Sequence, residues 1–141
     1  MSDTNKAVIR RIREQIIPGR NLSQLDDLYT ADFVYHGIAM IGDQRGVGAF
    51  KGLVGGFLAG FNDFRETVVD QIAEADKVVT RLAGSGTHSG PVMGIPATGK
   101  KITWSATIVD RFSNGKLAEE WAEFDALGFV QQLGASLQMP R

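Results

Sequence analysis

The dipeptide Asn114-Gly115, set between two long apolar runs, constrains this chain more than any other feature. A two-residue type I′ turn needs positive φ at both central positions, which Asn and Gly tolerate, so the pair signals a hairpin. It makes residues 101–112 and 117–125 adjacent antiparallel strands. Ahead of them, residues 64–73 and 77–88 read as two more strands, turned by Glu74-Ala75-Asp76. The connection over residues 89–100 is longer and rich in Gly and Pro, and residues 32–36 read as a short early strand.

Upstream of the meander the apolar spacing is helical. Val8, Ile9, Ile12 and Ile16 recur at intervals of three and four, which predicts a helix capped by Asp3 or Thr4 and stopped by Pro18-Gly19. Arg10, Arg11, Arg13 and Glu14 are expected to face solvent. A shorter amphipathic piece covers residues 22–29, with Leu25, Leu28 and Tyr29 on its apolar side. Between residues 46 and 61, Val47, Phe50, Val54, Phe57, Leu58 and Phe61 keep helical spacing although each interior glycine costs about 1 kcal/mol relative to Ala. Gly48, Gly52, Gly56 and Gly60 fall every fourth residue, predicting a bare groove used for tight packing of helix on sheet. A last apolar turn covers residues 127–133, and residues 135–141 read as a tail. Helices first and a meander of long strands after them predict an α+β fold. Its expected form is a cone-shaped barrel, a strongly curved antiparallel sheet with the N-terminal helices packed on its concave face.

The length suits one domain over residues 1–141, with a core from about residue 5 to about residue 134. With 15 basic against 16 acidic residues the net charge is -1, which argues against nucleic acid or an anionic membrane as partner. The absence of cysteine removes thiolate nucleophiles and Cys-based metal sites, and two histidines make a thin basis for a His-based one, so no metal is expected. The first residues carry charges and no apolar run, so a soluble, cytoplasmic protein is expected. Neither a Gly-x-Ser-x-Gly elbow nor a phosphate-cradling or dinucleotide-binding glycine motif is present. What remains is proton transfer without a cofactor.

The candidates for that chemistry sit at strand ends. On an ideal strand Leu117, Glu119, Trp121, Glu123 and Asp125 share one face, an indole joined to acids, the mixture expected where a sheet lines a cavity. Asp125 would then stand at the inner end of a pocket as general acid or base, favoured in its neutral form by lost hydration; alternatively it caps the helix beginning near Leu127. His88, among small residues, can donate or accept a proton, or serve as a hydrogen-bonded structural residue. His36 follows the early strand and meets His88 only if those strand ends converge. Arg81, a cation in mid-strand, calls for a partner such as Glu123 or Asp125, or polarises a substrate carbonyl. Trp104 and Trp121 are core or pocket wall, and Tyr35 can offer a hydroxyl to an oxyanion.

Several of these residues carry a resemblance. Gly86-Thr87-His88-Ser89-Gly90, Gly94-Ile95-Pro96-Ala97-Thr98-Gly99-Lys100 and Asn114-Gly115-Lys116-Leu117 leading to Glu120-Trp121 and Asp125 resemble the SnoaL-like polyketide cyclases of the nuclear-transport-factor-two-like superfamily. The family usually has a second proline where this chain has Ala97. The resemblance implies a cone-shaped α+β barrel, commonly a homodimer through the outer face of the sheet. It further implies intramolecular aldol ring closure of a hydrophobic or aromatic carbonyl compound without metal or cofactor, Asp125 being the acid/base and His88 the motif histidine. Isomerisation, dehydration, epoxide hydrolysis or non-catalytic binding of a small molecule are the alternatives on the same fold.

Overall fold

The computed structural model describes residues 2–136 and 138–140; of the expected tail, Leu137 and Arg141 lie outside them. The chain opens with helix α1 (Ser2–Arg11), which runs into a single π turn at Ile12–Ile16. The Ile17 N–H donates to the Ile12 carbonyl five residues back, at 3.0 Å. Asp3 and Thr4 lie inside α1 rather than capping it. A 3-10 helix follows at Leu22–Asp27, then strands β1 (Tyr29–His36) and β2 (Asp43–Arg45), helix α2 (Val47–Gly60), strands β3 (Arg65–Glu74), β4 (Lys77–Thr87), β5 (Lys101–Ser113) and β6 (Lys116–Phe124), and helix α3 (Ala126–Gln132).

The six strands form one sheet in the order β2-β1-β6-β5-β4-β3. The expected meander is β3 to β6, and its last hairpin turns on Asn114 and Gly115 with φ of 52° and 78°. One pairing departs from the expectation of an antiparallel sheet: β1 runs parallel to β6. The intervening α2 and β3 to β5 carry the chain across the sheet before it returns, and that long crossover is what a parallel neighbour requires.

The helical segments cover one face. Ile9, Ile12, Ile16, Ile17, Leu25, Phe33, Phe50, Leu82, Ile108 and Leu117 form the main core beneath α1 and α2. A second cluster, built on Phe61, Ile102, Phe129 and Leu133, lies under α3. Gln132 ties α3 to β5, accepting from the Thr103 N–H at 2.9 Å and donating to its carbonyl at 2.7 Å.

The glycine groove of α2 is not packed as expected. A Cβ placed on Gly48, Gly52, Gly55 or Gly56 meets no atom within 4 Å, whereas one on Gly60 would collide with the Val92 side chain. The stripe faces outward because Phe50, Val54 and Phe57 take the inner side of the helix.

Candidate active site

Two irregularities of the backbone stand beside the interior, and the first decides which side chains of β6 reach it. Arg111 pairs with Glu119 but Phe112 pairs with Leu117, so β6 carries one extra residue, Ala118. A bulge of one residue sends every later side chain to the opposite face. Leu117 and Ala118 are both buried, and beyond them Glu120, Ala122 and Phe124 point inward while Trp121, Glu123 and Asp125 are exposed. The face assignment made from ideal alternation is therefore reversed past Ala118. The second irregularity is the π turn, a feature often found at functional sites. Within it Arg13 turns into the protein rather than to solvent, its side chain 11% exposed.

The result is a cavity of about 110 Å³ between α2, the sheet and α3. Its walls are apolar, formed by Phe50, Leu53, Val54, Phe57, Ile108 and Phe129 among others, and its polar lining comes from Arg13, Tyr35, Glu66 and Trp104. Trp104 lies flat across β4 because Gly84, its register partner, has no side chain; a Cβ there would overlap the indole. An apolar hollow with a few convergent polar groups is the usual form of a ligand site.

Beneath the cavity lies a charged cluster. Arg13 Nη2 donates to Glu120 Oε2 at 2.8 Å, and Nη1 to Glu66 Oε1 at 3.5 Å. Asp110 opposes Glu120 across β5 and β6. Burial lifts the Glu66 carboxyl above the ordinary carboxylate range, against the pull of Arg13. Burial and the neighbouring Glu120 lift Asp110 far higher. Burial, reinforced by Glu120, pushes the Tyr35 hydroxyl to about 12, so at neutral pH it is a hydrogen-bond donor.

The residues predicted from the sequence divide between this cavity and other places. Tyr35 and Trp104 line it. Asp125, expected at its inner end, is exposed, and its Oδ1 accepts from the Gly128 N–H at 3.0 Å as the N-cap of α3. His88 is fully buried but outside the cavity lining. Its Nδ1 accepts the Thr98 N–H at 3.2 Å and meets Thr98 Oγ1 at 2.9 Å, pinning the glycine-rich connection. His36 does not meet His88: its Nε2 is 2.6 Å from Glu119 Oε2, and its ring stacks on Trp121 at 5.3 Å between centroids. Trp121, expected as core or pocket wall, lies on the outer face, 36% exposed. Arg81 and Glu123 also lie outside, both opposite Thr107 of β5, which separates their strands. Among the described residues Arg81 forms no ion pair with Glu123, Asp125 or any other acid. Arg81, Glu123 and Asp125 instead edge a groove of about 410 Å³ on the outer face.

Sequence reasoning missed Arg13, Glu66, Asp110 and Glu120. A signal for Asp110 was present: it alternates with Ile108 and Phe112, both inward, so an acid belonged to the buried side of β5. The described residues contain no group of His, Cys, Asp and Glu arranged to hold a metal ion. No helix among them is long and apolar enough to cross a membrane.

A curved sheet roofed by helices over an apolar hollow is the α+β cone of the nuclear-transport-factor-two-like fold. Within that class the chain belongs to the SnoaL-like polyketide cyclase family, whose model matches residues 7–133. It is similar to the solved structure of IdmH, a candidate polyketide cyclase of Streptomyces antibioticus, at 27% identity and TM-score 0.79, over 94% of this chain and 99% of that one. A candidate polyketide cyclase from Acidithiobacillus ferrooxidans superposes with TM-score 0.84 at 25% identity, over 94% and 96% of the two chains. AclR of Streptomyces galilaeus, a candidate hydroxylase, shares the fold with TM-score 0.82 at 24% identity, over 95% and 98%. Among curated proteins none matches the chain.

Proposed function

We propose that the protein is an enzyme of acid–base catalysis, moving protons on a small apolar carbonyl compound held in the inner cavity, with Glu66 as the base. The observation that carries this reading is a carboxyl group, 7% exposed and displaced toward neutrality by burial, lining an otherwise apolar hollow beside a cation. Glu66 takes a proton from the carbon next to the carbonyl. The Arg13 guanidinium and the Tyr35 hydroxyl stabilise the negative charge that collects on the carbonyl oxygen. In ring closure the carbanion attacks a second carbonyl of the same molecule, one carbon–carbon bond forms, and the new alkoxide recovers the proton from Glu66. The walls hold the two reacting carbons together, an orientation effect worth several kcal/mol.

The hollow is of the order that admits a single ring, since apolar cavities of roughly 150 Å³ bind benzene. Cyclohexanone is therefore a fitting probe, and deuterium uptake at its α-carbons, read by NMR in heavy water, reports the proton transfer without a full substrate. Glu66→Gln is expected to lose about 100-fold or more of the protein-dependent exchange, while Asp125→Asn keeps it. Loss in Asp125→Asn with retention in Glu66→Gln would return the acid–base role to Asp125 and end this assignment.

The family resemblance also supports a homodimer through the outer face of the sheet. Val69, Ile72 and Trp121 are exposed there, 55%, 65% and 36% respectively, in a face that also carries Arg81 and Glu123. Sedimentation of the wild type against Trp121→Glu tests this: a dimer that the charge dissociates is expected, and a wild-type monomer refutes it.

A further inference from the structure

Arg13 faces more carboxyl groups than one guanidinium can neutralise. Its shorter bond, 2.8 Å, goes to Glu120, which does not line the cavity, and its longer one, 3.5 Å, to Glu66, which does. Behind Glu120 stands Asp110, fully buried and, among the described residues, with no cation of its own and with neither oxygen meeting a donor. The Tyr29 hydroxyl, buried in the same cluster, is also without a partner. Two carboxylates facing each other in a dry interior cannot both be ionised. A proton on Asp110 converts that repulsion into a hydrogen bond to Glu120, whose other partner is Arg13.

We infer that Glu120 and Asp110 are positioning residues which hold Arg13 toward the floor of the cluster and so leave Glu66 free to accept a proton, an inference that rests on Glu66 being the base. Around Glu66 the π turn presents Arg13 and also Glu14, whose Oε2 accepts the Val68 N–H two residues along β3 at 2.8 Å; β5 presents Trp104, β6 Glu120 and β1 Tyr35, with Asp110 and Tyr29 farther off beside Glu120. Toward the cavity α2 presents only Phe50, Leu53, Val54 and Phe57, and β4 only Leu82. Remove the hold on Arg13 and its whole charge falls to Glu66, which becomes a weaker base.

The test follows carboxyl carbons by NMR, in protein labelled with carbon-13 at the side-chain carboxyls of Asp and Glu. Asp110→Asn and Glu66→Gln assign the two signals. In the wild type, Asp110 is expected to show the shift of a protonated acid at pH 6, and an ionised Asp110 there overturns the inference. In Asp110→Asn the amide donates to Glu120 as the acid did, so the Glu66 midpoint stays where it was; a clear fall there overturns it as well. In Asp110→Asn/Glu120→Gln, Arg13 has only Glu66 left, and the Glu66 midpoint is expected to fall by about one pH unit, the low end of what an adjacent arginine does to an acid. An unchanged or raised midpoint refutes the inference. Should the double variant not fold, the first two measurements decide. None of them needs turnover. Full exchange activity in Glu66→Gln would defeat the catalytic reading and leave this result standing.

Discussion

Helix α2 roofs the cavity, and its glycines divide into an outward set and one packed position. Gly48 and Gly55 have helical backbone and open space where a Cβ would go, with no atom within 4 Å. An alanine there adopts the native conformation without a clash and removes freedom from the unfolded chain, a gain of about 0.5–1 kcal/mol per site. The two positions stand roughly 10 Å apart along the helix axis, seven residues at 1.5 Å each. At that separation effects add, so Gly48→Ala/Gly55→Ala should gain about 1–2 kcal/mol. For a domain of this size that is a rise in melting temperature of roughly 3–7 °C. Gly60→Ala is the control on the same helix. Its Cβ would collide with the Val92 side chain and lie 3.4 Å from the Pro91 carbonyl oxygen, so it should lose about 1–3 kcal/mol. Urea and thermal unfolding followed by circular dichroism measure all three variants. Destabilisation by the outward pair, or indifference at Gly60, would refute the reasoning, because either result puts the packed side of α2 elsewhere.

Two further outcomes follow from the interior cluster. Burial, reinforced by the neighbouring Glu120, raises the Asp110 carboxyl well above its ordinary value in the folded protein, a shift the unfolded chain does not share. The folded state therefore binds more protons above that value, and its stability falls as pH rises, by at most about 1.4 kcal/mol per pH unit from this group. Asp110→Asn removes the titration, so urea midpoints measured between pH 5 and pH 8 should decline less steeply than in the wild type; an equal slope contradicts this. Gly84→Ala forces the Trp104 indole off β4 and toward the cavity. A loss of about 1–3 kcal/mol in stability is expected, together with a shifted Trp104 emission in a Trp121→Phe background, and an unmoved emission would count against the packing described.

How far the chain could be read from its residues depended on the regularity of each segment. The last hairpin was legible because Asn114 and Gly115 adopt the positive φ their chemistry favours, and α2 and α3 followed the apolar spacing. The site was not legible, because one feature that builds it breaks a period and the other sets a charge among apolar residues. Alternation counted from Leu117 puts Asp125 inside and Glu120 outside, and the single extra residue at Ala118 inverts the result. Nothing in the residues around Ala118 announces that bulge, which arises from how β6 must pair with β5. Arg13 was hidden differently: it stands four residues after Ile9 and three before Ile16, on the face a 3.6-residue period gives to the core, but its charge assigned it to solvent. The parallel pairing of β1 with β6 also escaped the sequence, since pairing between distant strands is set by the closed shape of the core rather than by local preference. The family motif around His88 was recognisable, and in the structure its ring fastens the loop through Thr98.

Chemistry in the inner cavity, with Glu66 on its floor, requires that cavity to take up the carbonyl compound. A crystal structure of the protein soaked with cyclohexanone tests it most directly. The expected density is a ring among Phe50, Phe57 and Ile108 with its oxygen toward Arg13 and Tyr35 and an α-carbon beside Glu66. A ring lodged instead in the outer groove between Arg81 and Asp125, with the inner cavity unaltered, would contradict the account.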